Sequence, residues 1–565
     1  MTRNAGREIT KTRKGEVAKE RLTVKIMRGL GLAAAVAILL CGAAFAQGKL
    51  QLVDRWVYLQ TNLLVDKNVD ALTDVFARAS KARYNGVVLT DSKFSRLADM
   101  GQPYFRNVER VKKLAADTKI EVIPGVFSIG YSGDILSQDP NLAEGLPVRE
   151  ALFVVKNGEA RLQPDPPVAL KAGDMSDLSR WDFKDPTVTQ DSGAARATNP
   201  NGQNARIFQR VRVSPFRQYH ISVRVKTIEF LGTPEIKVLA QGKSLCFTDI
   251  GVKRTQDWTL HHVVFNSLGN EEVIVYFGCW DGRTGSLWWD DAKLEEVGLL
   301  NVVRRPGAPL AARIEGGRTL VEGKDFSEVN DPRMGSVPYK GSYEVWHEPP
   351  SIKTSLPDGT RLRMSFYHMV TVNQDQVMIC PSEPKTVEVL RDEARRVHQL
   401  WSAKTYFMMH DEIRVLGWDE SCVKRNLTPG AILADNVKTC AKILREIAPG
   451  CRILVWSDMF DPNHNAHKDY YLVNGDLAGS WQGLDKGIVI AVWYFDKREA
   501  SMRFFSGLGN KMLIAGYYDS DPARIGDWLA TARAVGGVEG VMYTTWRKDF
   551  SNLDAFSREI DRAVQ

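Results

Sequence analysis

The chain has 565 residues, of which 44% are hydrophobic and 25% are charged. These globular values exclude a mainly disordered, collagen-like or coiled-coil protein, and the length predicts two or three domains. Of the net charge of +7, most belongs to residues 1–46, which hold nine Lys/Arg and three Asp/Glu. The rest of the chain is close to neutral and has no global positive field for nucleic acid.

An apolar run follows the basic N-terminal segment. Arg21, Lys25 and Arg28 precede residues 29–46, which end in Ala44-Phe45-Ala46. This pattern predicts a secretory signal peptide over residues 1–46, cleaved after Ala46, and a mature protein in the periplasm or outside the cell. The alternative is an uncleaved membrane anchor, because the segment before the apolar run is long. No later stretch is apolar and long enough to span a bilayer.

Six of the seven cysteines follow the signal segment, and none of them forms a CxxC pair. We therefore expect no zinc site. In an exported protein some of these cysteines are expected to form disulfides, whose pairing does not follow from the sequence.

Strand and helix patterns alternate in residues 47–150. Buried strands are predicted at 56–59, 86–89 and 120–126, with helices at 65–83 and 108–117. Such alternation favours a parallel sheet or barrel.

The pattern changes in residues 151–375, which contain few helical periods. Residues 219–225 and 273–276 alternate with period two, and this predicts a β-sandwich over about 165–297. A second all-β stretch, about 298–375, includes residues 361–372.

Strand and helix patterns resume in residues 376–565, with Thr428-Pro429 as a helix start and a last strand near 540–543. Three strand–helix units before the insertion and five after it predict an α/β fold. Its expected form is a (β/α)8 TIM barrel interrupted after strand three by an all-β insertion that contains a jelly-roll β-sandwich. If residues 361–372 were a barrel strand, the count would be nine.

Polar and aromatic residues follow the predicted barrel strands, where active sites of such barrels lie. Aromatic faces stack on sugar rings and carboxylates accept hydrogen bonds from hydroxyls, so the set favours a saccharide ligand. Asp411-Glu412 is the best acid pair, because one carboxylate beside another raises the pKa of one member and keeps an acid protonated for glycoside hydrolysis. The substrate-binding candidates among them are Asp91, His410, Trp456, Asp458, Trp493, Tyr517, Asp519 and Trp546.

A family resemblance rests on both barrel segments. Cys380-Pro381-Ser382, a helix to Trp401 and residues 406–412 resemble glycoside hydrolase family 20, the β-N-acetylhexosaminidases. Arg55, Tyr517-x-Asp519 and Trp546 also fit positions of that family. Departures are Met409-His410 in place of Gly-Gly and Gln60 in place of the usual Asp.

The resemblance implies a role for each matching residue. Glu412 would be the general acid/base, and Asp411 would orient the 2-acetamido group whose oxygen acts as nucleophile. Tyr517 would bind that acetamido group, and Asp519 and Arg55 would hold ring hydroxyls. Trp456, Trp493 and Trp546 would wall the pocket.

The predicted sandwich has its own resemblance. Residues 209–223 and 287–294 look like carbohydrate-binding modules of the family 4/9 type. Four tryptophans are candidate sugar platforms or core residues, namely Trp181, Trp258, Trp280 and Trp288. Such modules often hold a structural calcium, to which Asp290 and Asp291 could contribute. No other cofactor and no catalytic metal are expected.

The sequence thus predicts an exported glycoside hydrolase that is β-N-acetylhexosaminidase-like, retaining and substrate-assisted. Its partner would be an oligo- or polysaccharide, with no nucleic acid and no membrane beyond the signal segment. One alternative is a non-catalytic carbohydrate-binding protein on a diverged barrel. Another is a barrel glycosidase of different specificity in which Asp458 is the nucleophile or base. The sugar, the linkage and the oligomeric state do not follow from the sequence.

Overall fold

Strands and helices alternate at both ends of the chain, and antiparallel strands fill its middle. A computed structural model describes residues 50–198, 202–373 and 375–564, so the predicted signal peptide lies outside the described residues. From residue 54 to residue 126 the elements are β1 (Asp54–Gln60), α1 (Asp66–Lys81), β2 (Gly86–Thr90), α2 (Gln102–Thr118) and β3 (Glu121–Val126). From residue 133 to residue 368 they are α3 (Gly133–Leu136), β4 (Leu146–Lys156), β5 (Glu159–Leu162), β6 (Phe183–Lys184), β7 (Val188–Asp191), β8 (Ala194–Thr198), β9 (Ala205–Arg212), β10 (Gln218–Ala240), β11 (Lys243–Asp249), β12 (Gln256–Asn266), β13 (Glu272–Val297), β14 (Val302–Val303), β15 (Ala311–Ile314), β16 (Thr319–Leu320), β17 (Ile352–Lys353) and β18 (Arg361–His368). From residue 384 onward they are α4 (Pro384–Trp401), β19 (Thr405–Met408), β20 (Val415–Leu416), α5 (Glu420–Val423), α6 (Pro429–Ile447), β21 (Arg452–Trp456), β22 (Leu472–Val473), β23 (Ile488–Val492), α7 (Arg498–Leu508), β24 (Met512–Tyr517), α8 (Ile525–Val535), β25 (Val538–Thr544) and α9 (Leu553–Val564).

Eight parallel strands close into a barrel in the order β1-β2-β3-β19-β21-β23-β24-β25. The barrel closes where β25 pairs with β1, with Tyr543 opposite Val57. Alternate residues of the strands fill its interior with apolar side chains, such as Trp56, Phe407 and Leu454. The chain leaves the barrel after β3 and returns through α4, so residues far apart in sequence meet at its ends.

The barrel helices bury one apolar face each. In α1 the buried residues Val69, Leu72, Phe76 and Ala79 recur at helical spacing. At the start of α6, the Thr428 hydroxyl accepts a hydrogen bond from the Ala431 amide at 3.2 Å. Among the described residues no helix is both long and apolar enough to cross a membrane.

Two antiparallel sheets make up the insertion. A seven-stranded sheet has the order β16-β15-β18-β4-β5-β17, with β14 also paired to β18. Since β18 pairs antiparallel with β4, residues 361–368 belong to this sheet and add no ninth barrel strand. The predicted domain boundary at residue 150 falls inside β4.

The other sheet has eight strands and is built on β10 and β13, which are 23 and 26 residues long. Their pairing shifts register between Ser222 and Arg224 and again between Ile228 and Thr233, and such irregularities bend strands. Phe277 of one half packs on Trp289 of the other, with ring centroids 5.5 Å apart. The predicted jelly-roll sandwich is therefore corrected to one antiparallel sheet whose two halves contact each other.

The prediction of an α/β TIM barrel is wrong as a fold class. Strands account for 35% of the structure and helices for 28%, and the architecture is an all-parallel closed barrel plus antiparallel sheets. Between β21 and β23 the chain forms no α-helix; it forms β22 and two 3-10 turns, Asp458–Phe460 and Ser480–Gly483. That segment has four glycines between residues 475 and 487, which favour turns over a helix.

Candidate functional site

A cavity of about 740 Å³ opens at the carboxyl ends of the barrel strands. Its volume lies within the range of small-molecule sites. The insertion adds Tyr339, Tyr343 and Gln376 to its wall. The barrel side of the wall comprises Tyr58, Gln60, Thr90, Asp91, Tyr131, Met409, Asp411, Glu412, Trp456, Trp493, Tyr518 and Trp546, among others.

The path of the chain directly after β19 decides which residues of that segment reach the cavity. Met409 and Asp411 line the cavity, whereas His410 between them is fully buried and points to α6. There the His410 Nε2 atom lies 3.1 Å from Asn436 Oδ1, and burial lowers the pKa of His410 to about 4. The structure therefore does not bring His410 to the candidate site.

Asp411 is a cavity residue whose protonation is strongly perturbed. Burial, and then the neighbouring carboxyl groups of Asp458 and Glu412, raise the pKa of Asp411 well above its usual range. Its backbone is pressed against the loop after β3, because a Cβ at Gly130 would overlap the Asp411 carbonyl oxygen. This arrangement favours the protonated form of Asp411.

Glu412 is held differently. Its backbone adopts φ of +51°, in the left-handed region, which turns its side chain toward the same cavity. The Tyr131 hydroxyl donates a hydrogen bond to Oε2, and Arg414 Nη2 lies 2.9 Å from the same oxygen. A cation and a hydrogen-bond donor therefore both face this carboxylate.

Asp458 lies behind the pair and is fully buried. Its carboxyl group accepts hydrogen bonds from the Glu412 amide at 2.9 Å, Asn465 Nδ2 at 3.0 Å and Trp493 Nε1 at 3.4 Å. Burial raises the pKa of Asp458 to about 7. Asp458 is therefore placed to fix the Glu412 backbone rather than to face the cavity directly.

Gln376 links the insertion to the acid pair. Its side-chain amide donates to the Gly130 carbonyl at 2.7 Å and to the Glu412 carbonyl at 3.0 Å. Its side-chain oxygen accepts a hydrogen bond from Arg414. One side chain from the end of the insertion thus orders both loops around the carboxyl groups.

Aromatic rings form one side of the cavity. Trp456 packs edge-on against Tyr58, with ring centroids 5.5 Å apart, and Trp546 does so at 5.3 Å. Trp493 stacks parallel to Tyr518, with centroids 5.4 Å apart and planes 4° from parallel. Trp546 is 43% exposed, which leaves a face free for a ligand.

In the segment after β24, the tyrosine that faces the cavity is not the predicted one. Tyr517, Tyr518 and Asp519 all have positive φ, an uncommon conformation for residues other than glycine. Tyr517 points away from the cavity, stacks on Tyr543 at 4.2 Å and accepts a hydrogen bond from Asn552. Tyr518 is the residue that lines the cavity.

Asp519 and Asp91 support loops. Asp519 accepts hydrogen bonds from the backbone amides of Trp546 at 2.8 Å and Arg547 at 3.2 Å, which positions the Trp546 loop. Asp91 touches the cavity wall, but its oxygens accept from the Lys93 and Leu63 amides and the Tyr104 hydroxyl.

Arg55 lies at the opposite end of the barrel. It stands near the amino end of β1 and forms an ion pair with Asp561 of α9 at 2.7 Å. The structure therefore does not bring it to the cavity, because the carboxyl end of β1 is formed by Tyr58 and Gln60.

The residues of the site that the sequence analysis missed include Tyr131, Gln376, Arg414 and Tyr518. Arg414 had a local signal, since it follows Glu412 by two positions and extended residues at that spacing share a side. No local sequence signal indicated Tyr131 or Gln376, because their positions depend on how the insertion leaves and re-enters the barrel.

The candidate sugar platforms of the eight-stranded sheet are largely occupied by the protein itself. Trp181 is buried and donates to the Ala172 carbonyl at 3.2 Å. Lys237 Nζ lies 3.7 Å from the Trp280 ring centroid, and Trp288 donates to Asp191 at 2.9 Å. Trp258 is half-buried.

The two candidate calcium ligands of this sheet have neighbours of their own. Asp291 forms an ion pair with Arg224 at 3.5 Å, and the Asp290 side chain accepts a hydrogen bond from the Asp291 amide at 2.7 Å. A bound calcium there stays a prediction.

No family model matches the chain, and no curated protein matches it, so the resemblance to glycoside hydrolase family 20 gains no support from these comparisons. Parts of the chain are similar to solved structures. A CBM4 structure is 17% identical, over 23% of this chain and 84% of that chain, with a TM-score of 0.18. The enzymatically active domain of bacteriophage CBA120 tailspike protein 4 is 16% identical, over 26% of this chain and 21% of that chain, with a TM-score of 0.18. TmCBM61 in complex with β-1,4-galactotriose is 13% identical, over 22% of this chain and 97% of that chain, with a TM-score of 0.18. At these TM-scores the likenesses carry no functional argument.

Proposed function

We propose that the protein is an exported glycoside hydrolase that binds an oligo- or polysaccharide in the barrel cavity and cleaves it with Asp411 as general acid. One observation carries the proposal. Asp411, with its raised pKa, and Glu412, paired with Arg414, face one cavity walled by aromatic rings. Glycoside hydrolysis commonly requires a protonated acid and a negative group in the same pocket.

Asp411 suits the acid role because it enters the cavity and its pKa is raised by burial and by two neighbouring carboxyl groups. A group that is protonated near neutral pH can donate its proton to the leaving oxygen as the glycosidic bond breaks.

Glu412 suits the role of a fixed negative charge. The Arg414 guanidinium and the Tyr131 hydroxyl both contact its carboxyl group and hold it in one orientation. A carboxylate at this place can stabilise the positive charge that develops on the sugar ring. This assignment exchanges the roles that the family resemblance implies for the two residues.

The proposal does not extend to N-acetylhexosaminides. In the resemblance Tyr517 binds the acetamido group, but that ring stacks on Tyr543 outside the cavity. The sugar therefore remains to be identified by a broad substrate panel.

The test is turnover of a panel of aryl glycosides, including both N-acetylhexosaminides, by wild type, Asp411→Asn and Glu388→Gln. Asp411→Asn should lower kcat about 10²- to 10⁴-fold on substrates with a poor leaving group. The loss should be much smaller on activated aryl glycosides, whose leaving groups need little protonation. Glu388 is exposed on α4, so its variant controls for the loss of a carboxyl group elsewhere.

Equal losses of kcat on both kinds of leaving group would contradict the acid role of Asp411.

The second candidate function is that of a carbohydrate-binding protein without hydrolytic activity. One feature favours it, namely the Arg414 guanidinium that occupies one side of Glu412. It would be supported if wild type turned over no substrate of the panel yet bound a saccharide, and if Trp546→Ala weakened that binding.

A further inference from the structure

Four buried side chains outside the cavity converge where the insertion joins the barrel. They are Glu144 before β4, Cys380 before α4, and Asp419 and Cys422 at α5. Their exposed fractions are 2% or less. One ligand atom from each lies within 4.8 Å of all the others.

Three of the six distances between these atoms match the edges of a tetrahedron around a metal, and the other three are no longer than 4.8 Å. The Cys380 and Cys422 sulfurs are 3.7 Å apart, Cys380 Sγ is 3.5 Å from Asp419 Oδ1, and Cys422 Sγ is 3.4 Å from Glu144 Oε2. In a tetrahedral zinc site with zinc–sulfur distances of about 2.3 Å and zinc–oxygen distances of about 2.0–2.2 Å, neighbouring ligand atoms lie about 3.3–3.8 Å apart.

Each carboxylate has one oxygen held by the protein and turns the other toward the thiols. Glu144 Oε1 accepts from the Trp418 amide at 2.7 Å, and Asp419 Oδ2 pairs with Arg305 at 2.6 Å. The oxygens that face the sulfurs are Glu144 Oε2 and Asp419 Oδ1, and the latter also accepts from the Cys422 amide at 3.1 Å. Outer contacts of this kind orient metal ligands.

Charge balance also points to a cation. Two carboxylates are buried here, and Arg305, whose nearest carboxylate is Asp419, is the cation that contacts them among the described residues. A buried carboxylate without a partner is strongly unfavourable. A divalent cation at the centre would neutralise Glu144 and convert both thiols to thiolates with release of their protons.

We propose that Glu144, Cys380, Asp419 and Cys422 bind one zinc ion in a closed structural site. Four protein ligands leave no open position for catalysis. The ion would join the loop after β3, the return from the insertion and the loop that follows Glu412. It would thereby hold the entry and exit of the insertion on the barrel.

A Cys380–Cys422 disulfide is the competing chemistry, since the protein is predicted to be exported. A disulfide requires the sulfurs to move from 3.7 Å to about 2.05 Å apart. It would also leave the two carboxylates without a cation between them. The zinc site accounts for all four side chains, and the disulfide accounts for two.

The test uses the chain with its own N-terminal segment, exported to a bacterial periplasm and purified without chelators. Metal analysis should find about one zinc per chain in wild type. Cys380→Ser and Cys422→Ser should fall to background, and Cys451→Ser, a half-buried cysteine distant in sequence, should keep its zinc.

A second measurement needs no variant that could fail to fold. Treatment of wild type with a strong chelator should lower Tm, and added Zn²⁺ should restore it. Co²⁺ added to the stripped protein should give the thiolate charge-transfer absorption of a tetrahedral site. Absence of zinc together with a Cys380–Cys422 disulfide in peptide mapping would overturn the proposal. So would free thiols that take up neither Zn²⁺ nor Co²⁺. Neither result depends on glycosidase activity.

Discussion

The barrel cavity and the eight-stranded sheet are both rich in aromatic residues, but they use them differently. At the cavity, Trp546 and Tyr518 lie beside carboxyl groups and keep part of their ring surface exposed, whereas Trp456 lines the wall but is almost fully buried. In the sheet, Trp181 is buried in the core and Trp280 is covered by Lys237. The difference teaches that aromatic content alone does not locate a saccharide site. The side chains beside each ring decide whether it serves packing or binding.

The largest effect that sharpens this comparison is expected in the sheet. Trp181→Ala should lower the free energy of unfolding by about 3–5 kcal/mol, because it removes a fully packed side chain and leaves a cavity. Denaturant unfolding would measure the loss. If Trp181→Ala instead weakened saccharide binding without loss of stability, the sheet would have to be regarded as a binding surface.

Asp458 should give the next largest effect, on the pH dependence of stability. Its pKa is raised from 3.8 to about 7, so the folded state binds this proton more tightly than the unfolded state. Stability should therefore fall as pH rises from about 4 to about 7, by up to about 4 kcal/mol from this group.

Asp458→Asn should lack this fall, so the difference in stability between wild type and variant should change by a similar amount between pH 4 and pH 7. Glu393, whose pKa burial also raises to about 7, titrates equally in both proteins and cancels. Asp496→Asn, at an exposed position, is the matched control. Parallel stability curves for wild type and Asp458→Asn between pH 4 and 7 would contradict the assignment.

A smaller effect is expected from the loop after β3. Gly130→Ala would place a methyl group on the Asp411 carbonyl oxygen and shift the acid, so kcat should fall about 10²-fold. Gly526→Ala, in α8 with open space around the site of the added methyl, should leave kcat unchanged. Kinetics on the best substrate of the panel would compare the two. Unchanged kcat in Gly130→Ala would remove Asp411 from the reacting centre.

The smallest effect is expected at the exposed ring of the cavity. Trp546→Ala should weaken saccharide binding about fivefold, as one aromatic contact is typically worth about 1 kcal/mol. Because Trp546 is 43% exposed, its removal should change Tm little. Calorimetric titration with a saccharide measures the affinity, and Trp258→Ala in the sheet serves as control. A loss of affinity in the control equal to that in Trp546→Ala would erase the contrast between the two regions.

Sequence patterns were sufficient to place the acidic and aromatic residues of the strand ends at one site. Asp411, Glu412, Trp456, Trp493 and Trp546 all line the cavity, because strand–helix alternation predicts where parallel strands end. The same patterns mispredicted the fold class, because the glycine-rich segment between β21 and β23 and the two antiparallel sheets changed the balance of strands and helices.

Only the tertiary structure decided which of two adjacent residues faces the cavity. His410 turns away between Met409 and Asp411 by the ordinary alternation of an extended chain. Left-handed residues then reset the direction of the chain, so that Glu412 also reaches the cavity and Tyr518 reaches it in place of Tyr517. Contacts distant in sequence were equally beyond reach. Gln376 meets Glu412 from the end of the insertion, and Glu144 meets Cys422 across 278 positions. A local pattern carries the period of a strand or helix, but it contains no information about which distant segments the closed barrel brings together.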